Sequence, residues 1–343
     1  MITLDDLQKI HERDQADSLG AAAGEWRQLT AEVPVIPECK PGTILNVVYA
    51  AMGGSAAAGQ MAAAWPGLRV PFEVARGYEI PAYVGQQTLF IAASHSGNTE
   101  ETLEAVGHAA EAGAVIAVLT GGGELAALAR ERGYPLALLP GTRQPRFAGI
   151  SNLVVLVTLL EQAGLCDVDH DELTAAAEFM HAETENWLPT VPAAKNPAKQ
   201  IAQECMGRSV VVYSGPQLAP AAHKWKIAVN ESAKQVAWQG TLPEFNHNEF
   251  TGWSKQPEQK PYAVIELRSR LEHPRIQKRF ELTERLLSGL RPAPVVVEVK
   301  GDTLLQQLVW ASVLGDFVGV YLALLNGLDP TSLPLVDKLK QAL

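Results

Sequence analysis

Short apolar runs alternate with helical stretches over the first half of the chain. The first clear run, Ile44–Ala50, is rich in β-branched residues and leads directly into Gly53–Ser55 and an alanine-rich helical stretch. Strands that alternate with helices of ten or more residues pair in parallel through right-handed crossovers. The pattern therefore predicts a doubly wound α/β domain. Its further strand-type runs are Thr88–Ala93, Ala114–Leu119 and Leu136–Leu139, and its helical stretches are Glu100–Ala112 and Glu124–Arg132.

The same pattern returns in the second half, after a break. Residues 151–185 have helical character, and prolines at 189, 192 and 197 then interrupt the pattern. A second α/β set begins with the strand-type run Ser209–Tyr213, and two later runs are Tyr262–Leu267 and Pro294–Val299. We therefore expect four segments: a helical lead-in (1–30), a first α/β domain (31–150), a helical connection (151–190) and a second α/β domain (191–343).

Composition limits what the protein can bind. The 343 residues include 28 Lys and Arg against 38 Asp and Glu, which gives a net charge of −10 at pH 7. This balance disfavours a general attraction for nucleic acid or for an acidic membrane, so an anionic ligand has to be captured by a local arrangement. Hydrophobic residues make up 47% of the chain and charged residues 19%, which excludes disorder as the main state.

Cysteine usage and apolar runs indicate the compartment. Cys39, Cys166 and Cys205 are widely spaced and include no C-x-x-C pair, so neither a disulfide framework nor a thiolate zinc site is indicated. We take Leu153–Leu160 as the longest apolar run, which is far shorter than the ~20 residues of a membrane span. The first residues lack the pattern of a secretory signal. We expect a cytoplasmic protein with no membrane partner and no nucleic-acid partner.

Two turns that follow predicted strands are rich in glycine and hydroxyl groups. One is Gly53–Ser55, and the other is Ser94–Thr102, which reads S-H-S-G-N-T-E-E-T. Free amides at a helix N-terminus, together with hydroxyls, can hold a phosphate without lysine or arginine. Alternatively, Thr99 or Ser96 simply caps the helix. Neither turn matches the nucleoside-triphosphate loop, and no G-x-G-x-x-G indicates a dinucleotide.

These two turns resemble those of the sugar isomerase (SIS) domain family. The pair Gly-Gly-Ser and Ser-x-Ser-Gly-Asn-Thr-x-Glu-Thr carries the resemblance. SIS domains bind phosphosugars at the carboxyl ends of the strands of a parallel sheet. An SIS domain does not by itself define a reaction, because regulators and aminosugar enzymes also contain it. The resemblance implies that the phosphate is held by Gly54, Ser55, Ser94, Ser96 and Thr99.

A second resemblance is more specific and spans nearly the whole chain. Asn230–Lys234 reads N-E-S-A-K and Pro243–Trp253 reads P-E-F-N-H-N-E-F-T-G-W. With Gln144–Arg146 and the terminal Leu339–Lys340, these segments resemble the bifunctional phosphoglucose/phosphomannose isomerase family. The resemblance implies an α/β fold of two SIS-type doubly wound domains, each a parallel sheet flanked by helices. It also implies an aldose–ketose isomerase of glycolysis and gluconeogenesis that interconverts glucose 6-phosphate and fructose 6-phosphate, with mannose 6-phosphate as a further candidate substrate.

Four residues take catalytic roles by the same match. The resemblance implies that Glu231 is the catalytic base and that His247 assists ring opening. It implies that Arg146 stabilises the intermediate and that Lys340 closes the site. A carboxylate suits the reaction, because it can take the proton from one carbon and return it to the next through a cis-enediol. The match further implies a homodimer that completes each site with the neighbouring subunit's histidine, and we expect no cofactor and no metal.

The residue types alone leave alternatives for the base and the histidine. Glu231 could be an exposed helical glutamate paired with Lys234. His247 lies in a loop-like segment, so it could be an ordinary turn histidine. A metal site is a further alternative, because His247, Glu244 and Glu249 could reach one ion.

Alternatives also stay open for the remaining residues and for the function. Arg146 could belong to a solvated basic loop, and Lys338 is an alternative to Lys340. Members of the family often carry a small hydroxylated residue at the position of Leu333, and this departure leaves activity on mannose phosphate open. Two other functions are compatible with SIS domains: isomerisation or deamination of aminosugar phosphates, and non-catalytic phosphosugar binding.

Overall fold

The computed structural model describes residues 3–140, 144–255 and 257–342, which form two compact units. The first unit is Glu25–Ala177, and the second unit combines Met1–Gly24 with Glu178–Leu343. Most of the segment expected as a helical lead-in (1–30) thus belongs to the second unit, and the segment expected as a helical connection (151–190) divides between the units.

The described residues form the following helices and strands. The helices are α1 (Leu7–Arg13), α2 (Ser18–Ala23), α3 (Gly53–Ala64), α4 (Glu100–Glu111), α5 (Gly123–Arg132), α6 (Gly149–Gln162), α7 (His170–Thr184), α8 (Pro197–Cys205), α9 (Ala219–Ala233), α10 (Glu249–Gly252), α11 (Pro274–Leu286), α12 (Leu304–Leu325) and α13 (Pro334–Ala342). The strands are β1 (Val35–Ile36), β2 (Asn46–Ala51), β3 (Phe72–Ala75), β4 (Thr88–Ser94), β5 (Val115–Thr120), β6 (Leu136–Leu138), β7 (Ser209–Ser214), β8 (Ala237–Thr241), β9 (Tyr262–Arg268) and β10 (Val295–Glu298). Short 3₁₀ turns include Pro145–Phe147, Pro216–Leu218 and Glu244–His247.

A six-stranded sheet forms the centre of the first unit, in the order β1-β6-β5-β4-β2-β3. Neighbouring strands pair in parallel except β1, which runs antiparallel to β6. Strand β4 is buried along its whole length, as expected for a parallel sheet covered on both faces. Strands β2 and β4 are neighbours, with Ala51 opposite Ala93. The turns that follow these two strands therefore lie at the same edge of the sheet.

A fully parallel sheet in the order β10-β9-β7-β8 forms the centre of the second unit, with α9 packed against β7 and β8. The predicted α/β class, with parallel sheets flanked by helices in both halves, is confirmed. The sequence pattern does not predict β1, β3 or β8. All three are edge strands, which bury less of each residue and need no continuous apolar run.

Helix α12 is the core helix of the second unit. It is 22 residues long, and among the described residues it is the one helix long and apolar enough to cross a membrane. Within the structure, 94% of its apolar window is buried. The expectation that Leu153–Leu160 is the longest apolar run is wrong, because the run Phe317–Leu325 within α12 is longer. The burial of this helix accounts for its hydropathy without a membrane.

A buried ion pair joins α12 to α9, the helix that contains Glu231. Lys224 Nζ donates to Asp316 Oδ1 at 2.6 Å, and the two side chains are only 4% and 2% exposed. The interface between these helices also contains Trp225, whose indole donates to the carbonyl of Ala311 at 2.6 Å. Removing one partner of such a pair leaves a buried charge without its counter-ion.

We predict that Asp316→Ala lowers the free energy of unfolding by roughly 3–5 kcal/mol, because Lys224 then loses its buried carboxylate. The double variant Lys224→Met with Asp316→Leu should recover most of this loss, since the apolar pair removes both charges together. Chemical denaturation followed by circular dichroism measures both effects. Glu281→Ala is the matched control, because it breaks the exposed pair with Lys278 and should change stability little. An Asp316→Ala variant as stable as this control would contradict the prediction.

Candidate phosphosugar site

Three hydroxyl groups cluster at the carboxyl end of β4. Ser94, the last residue of the strand, is buried, and its Oγ lies 2.7 Å from Thr99 Oγ1 and 3.4 Å from Ser96 Oγ. The amide of Gly97 donates to Ser94 Oγ at 3.1 Å, and the amide of Asn98 donates to Ser96 Oγ at 3.2 Å. The structure therefore brings together the three residues of this turn for which the sequence predicts phosphate contacts. We call this turn, Ser94–Thr99, the hydroxyl turn.

The hydroxyl of Thr99 does not cap the helix that follows. Thr99 occupies the N-cap position of α4, but its side chain makes no capping hydrogen bond among the described residues. Its Oγ1 lies within hydrogen-bond distance of Ser94 instead. The capping alternative is thus not what the structure shows for Thr99. The first-turn amides of α4 are left without a side-chain acceptor from Thr99, and this is the arrangement in which a helix N-terminus attracts an anion.

A second helix begins beside the hydroxyl turn. Helix α3 starts at Gly53, directly after β2, and its N-cap residue Met52 also makes no side-chain capping bond among the described residues. Gly53 has a φ of +51°, which favours glycine. A Cβ on Gly54 would meet no atom within 4 Å in the structure. Gly54 and the half-buried Ser55 therefore border open space at the sheet edge that the hydroxyl turn also occupies.

The loop after β5 holds the hydroxyl turn in place. Asn98 Oδ1 accepts from the amide of Glu124 at 2.9 Å, and the amide of Leu125 donates to the carbonyl of Gly97 at 2.9 Å. Gly97 has a φ of +72°, and a Cβ there would collide with the carbonyl of Gly122. Sequence reasoning missed this supporting role of Asn98 and Gly97, although both belong to the motif that it singled out.

His95 adds no positive charge to this turn at neutral pH. Burial lowers the pKa of its imidazole below the ordinary value, so the neutral form is favoured. Its backbone carbonyl accepts from the amide of Gly121 at 3.0 Å, which ties the hydroxyl turn to the β5 loop once more. Attraction for an anion here depends on hydroxyls and backbone amides.

Arg146 is the remaining predicted residue of the first unit. It is half-buried in the short 3₁₀ turn Pro145–Phe147, which precedes α6. The neighbouring Phe147 is buried, and the carbonyl of Phe147 accepts from Gln28 Nε2 at 2.7 Å. The turn that carries Arg146 is therefore anchored in the core of the first unit, which argues against a freely solvated basic loop.

Glu231 lies in the second unit, near the C-terminal end of α9. Its side chain is half-buried, and its neighbours Val229 and Ser232 are buried. Asn230 Nδ2 donates to the carbonyls of Lys226 at 2.7 Å and of Ala237 at 3.0 Å, which ties this end of the helix to β8. The position of Glu231 is thus fixed on two sides by backbone structure.

His247 and the two lysines lie on exposed parts of the second unit. His247 ends the 3₁₀ turn Glu244–His247, and its side chain is exposed. Lys338 and Lys340 are both exposed on α13. Residues two positions apart on a helix point in nearly opposite directions, so only one of the two lysines can face a given target.

The metal alternative at His247 finds no support in the geometry. Glu249 Oε2 accepts from Tyr213 at 2.8 Å, and Glu244 Oε1 accepts from Asn248 at 2.8 Å. Both carboxylates are thus engaged with other side chains. Within the described residues, no group of three histidine, cysteine, aspartate or glutamate side chains is placed to hold a metal ion.

In the second unit, the side-chain carboxylate of Glu272 occupies the turn after β7. Glu272 follows the neighbouring strand β9, is 4% exposed, and its Oε1 accepts from the amide of Gln217 at 2.8 Å. The amide of Leu218 is a further donor to this carboxylate. A Cβ on Gly215 would collide with the Glu272 side chain, which would then have to move. Burial raises the pKa of Glu272, and these amide hydrogen bonds oppose that rise.

Comparison with known proteins agrees with this geometry. A family model described as the bacterial phospho-glucose isomerase C-terminal SIS domain matches residues 194–343. A crystal structure described as a glucose-6-phosphate isomerase like protein from Thermus thermophilus aligns over 100% of both chains, with a TM-score of 0.70 and 20% identity. The parallel sheets and the turns at their carboxyl edges thus define a protein of the SIS-domain class.

Two curated relatives narrow the class. A bifunctional phosphoglucose/phosphomannose isomerase of Aquifex aeolicus is 31% identical over 301 residues, which cover 87% of this chain and 90% of the relative. A D-glucosamine-6-phosphate 4-epimerase of Sulfolobus acidocaldarius is 33% identical over 223 residues, which cover 62% of this chain and 66% of the relative. The chain belongs to the bifunctional phosphoglucose/phosphomannose isomerase family, and the predicted resemblance is confirmed.

We predict that Gly97→Ala destabilises the protein and weakens binding of inorganic phosphate. The left-handed backbone alone costs a side chain about 1–3 kcal/mol, and the collision with Gly122 adds to this. Thermal unfolding and isothermal titration calorimetry measure the two effects. Gly107→Ala is the matched control. Gly107 is exposed to solvent in the middle of α4, and a Cβ there would meet no atom within 4 Å, so alanine should stabilise the helix. Equal melting temperatures for the two variants would refute the prediction.

Proposed function

We propose that the protein is an aldose–ketose isomerase that interconverts glucose 6-phosphate and fructose 6-phosphate, with mannose 6-phosphate as a second substrate to be tested. The observation that carries the proposal is the hydroxyl turn beside the uncapped N-terminus of α4, found in a chain that belongs to this isomerase family. The named activity of the Aquifex relative supports the choice of hexose phosphates.

The first step of the proposed mechanism is capture of the phosphate. Ser94, Ser96 and Thr99 donate hydroxyl hydrogen bonds, and Gly54 and Ser55 border the same space at the start of α3. The N-termini of α3 and α4 add partial positive charge. Binding through hydroxyls and amides suits a protein whose net charge of −10 gives no general attraction for anions.

Proton transfer is the second step. Glu231 takes the proton from C2 of the open-chain aldose, which gives a cis-enediol, and returns it to C1 while the O2 hydroxyl proton moves to O1. One carboxylate is sufficient, because the proton leaves and returns on the same face of the substrate. Arg146 stabilises the negative oxygens of the intermediate, since its guanidinium is permanently charged and planar. Lys340 is proposed to close the site.

Opening of the sugar ring precedes the proton transfer, and His247 is proposed to assist it. An imidazole can exchange a proton with the ring oxygen and the anomeric hydroxyl near neutral pH. The proposed chemistry transfers only protons within one substrate, so it requires no cofactor and no metal.

We further propose a cytoplasmic homodimer with shared active sites. The second unit exposes apolar side chains on the edge strand β8 and on α13, and such side chains commonly lie in subunit interfaces. They are Trp238, Leu335 and Leu339, which are 51%, 79% and 60% exposed. The exposed position of His247 is compatible with its reaching the site of a neighbouring subunit.

A second candidate function follows from the Sulfolobus relative. Its named activity is epimerisation of glucosamine 6-phosphate, so an aminosugar phosphate is the competing substrate class. Incubation with glucosamine 6-phosphate, followed by assays for ammonia and for the epimer, separates this candidate from the isomerase. Binding of hexose phosphates without any turnover would instead indicate a phosphosugar-binding protein.

We predict that wild-type protein forms glucose 6-phosphate from fructose 6-phosphate in the presence of a chelator. We also predict that Glu231→Gln lowers turnover about 10²–10⁴-fold while phosphosugar binding persists. The reason is that glutamine keeps the size of the side chain but cannot accept the C2 proton; general base catalysis typically contributes about 10²–10⁴-fold. A coupled assay measures turnover and calorimetry measures binding. Glu281→Gln, an exposed glutamate of α11, is the control and should retain full activity. Turnover that survives Glu231→Gln would reject this base.

Shared sites are tested by mixing two impaired variants. Glu231→Gln protein and His247→Ala protein should each have only a low residual activity, and a refolded mixture should exceed the sum of the two, because some heterodimers then contain one intact site. Light scattering measures the oligomeric state in the same samples. Heterodimers that form without any recovery of activity would argue against a histidine contributed by the partner.

A further inference from the structure

We propose that Tyr213 and Glu249 are positioning residues for His247. The inference rests on the proposed role of His247 in ring opening and extends it to two residues that bond in the second unit, although 36 positions separate them in the sequence. Neither is proposed to touch the substrate. Their effect on the reaction passes through the segment that carries His247, Phe245–Trp253, which we call the histidine segment.

The anchor is a rigid one. Tyr213 lies on β7, a strand with neighbours on both sides in the parallel sheet, and is 2% exposed. Its hydroxyl donates to Glu249 Oε2 at 2.8 Å and accepts from Trp253 Nε1 at 3.0 Å. One buried hydroxyl therefore holds two side chains of the histidine segment.

The phenol of Tyr213 stays protonated, and the neighbouring strand β8 leaves space for its ring. Burial raises the pKa of Tyr213 well above its ordinary value, and the carboxylate of Glu249 raises it further, so the hydroxyl remains a donor. A Cβ on Gly240, the residue opposite on β8, would collide with the tyrosine ring. The neighbouring strand thus carries a glycine where the ring passes.

The other side of His247 is anchored as well. Asn246 Nδ2 donates to Thr283 Oγ1 at 3.0 Å, and Asn246 Oδ1 accepts from Arg279 Nη1 at 3.1 Å, so the residue before the histidine is held by α11. Phe245 is buried and packs edge-on against Tyr213, with ring centroids 4.5 Å apart. Side chains on both sides of His247 are fixed, while its own side chain is exposed.

This arrangement fits a catalytic group presented by a rigid support. An exposed turn needs only backbone hydrogen bonds to exist, whereas this one is tied by side chains to β7 and to α11. Small displacements of a catalytic group lower rates strongly, and a shift of 1 Å can cost about 100-fold. The position of the imidazole is therefore the property that Tyr213 and Glu249 are expected to control.

The experiment compares Tyr213→Phe, Glu249→Ala and Glu249→Gln in the full-length protein with fructose 6-phosphate as substrate. Tyr213→Phe and Glu249→Ala should lower kcat about 10- to 100-fold and leave KM within about twofold, because phosphate capture does not involve them. Glu249→Gln should retain most of kcat, since its amide oxygen can still accept from Tyr213. Tyr262→Phe, on the neighbouring strand with its ring against Trp253, is the control and should behave as wild type.

A double-mutant cycle separates positioning from a general structural role. In a His247→Ala background, Glu249→Ala should cause no further loss of kcat, because the group that it positions is already absent. A further loss as large as in wild type, or full activity of Tyr213→Phe, would overturn the inference. If the wild type lacks isomerase activity, the proposed function itself fails. If His247→Ala is fully active, only the proposed role of His247 fails, and the inference about Tyr213 and Glu249 fails with it.

Discussion

The hydrogen bond between Ser94 and Thr99 is the contact on which the proposed phosphate site of the first unit depends. It engages the hydroxyl of the N-cap residue, and among the described residues Thr99 makes no capping hydrogen bond to the first-turn amides of α4 at the edge of the sheet. In a protein with a net charge of −10, a phosphate finds no general attraction and must be held by such local dipoles. The glycine at position 97 allows the turn to close against the β5 loop. Because β2 and β4 are parallel neighbours, the turn Gly53–Ser55 lies at the same edge of the sheet, and this turn contains no charged residue.

The two units use the same strand geometry in different ways. In each, the turn after a central strand lies beside the turn after its parallel neighbour, β2 beside β4 and β7 beside β9. The first unit has glycines and hydroxyls at these turns, and the second has Glu272 bridging them from one turn to the amides of the other. The second unit instead contributes the proposed base on α9 and the histidine segment. The same fold class is thus compatible with a division of roles between the two units.

The sequence predicts those features that depend on local pattern. The buried strands β2, β4 and β7 are continuous apolar runs, and the hydroxyls of Ser94, Ser96 and Thr99 fall in one motif. The edge strand β8 is missed because Gln239 and Gly240 interrupt its apolar pattern after Trp238. The sequence also does not predict the direction of the Thr99 hydroxyl. The same residue could either cap α4 or form a hydrogen bond with Ser94.

Contacts between side chains far apart in the sequence are the larger part of what the sequence does not predict. Tyr213 and Glu249 meet only because β7 lies under the histidine segment, and Lys224 meets Asp316 only because α9 packs on α12. The position of the Glu272 carboxylate also affects which unit a bound anion can stabilise. A ligand that binds only the folded state stabilises it by about 2.7 kcal/mol at a hundred times its dissociation constant. Because Glu272 already accepts from the amides of this turn, the second unit completes the turn without a bound anion. Under the proposed function, stabilisation by free phosphate is therefore expected only of the first unit.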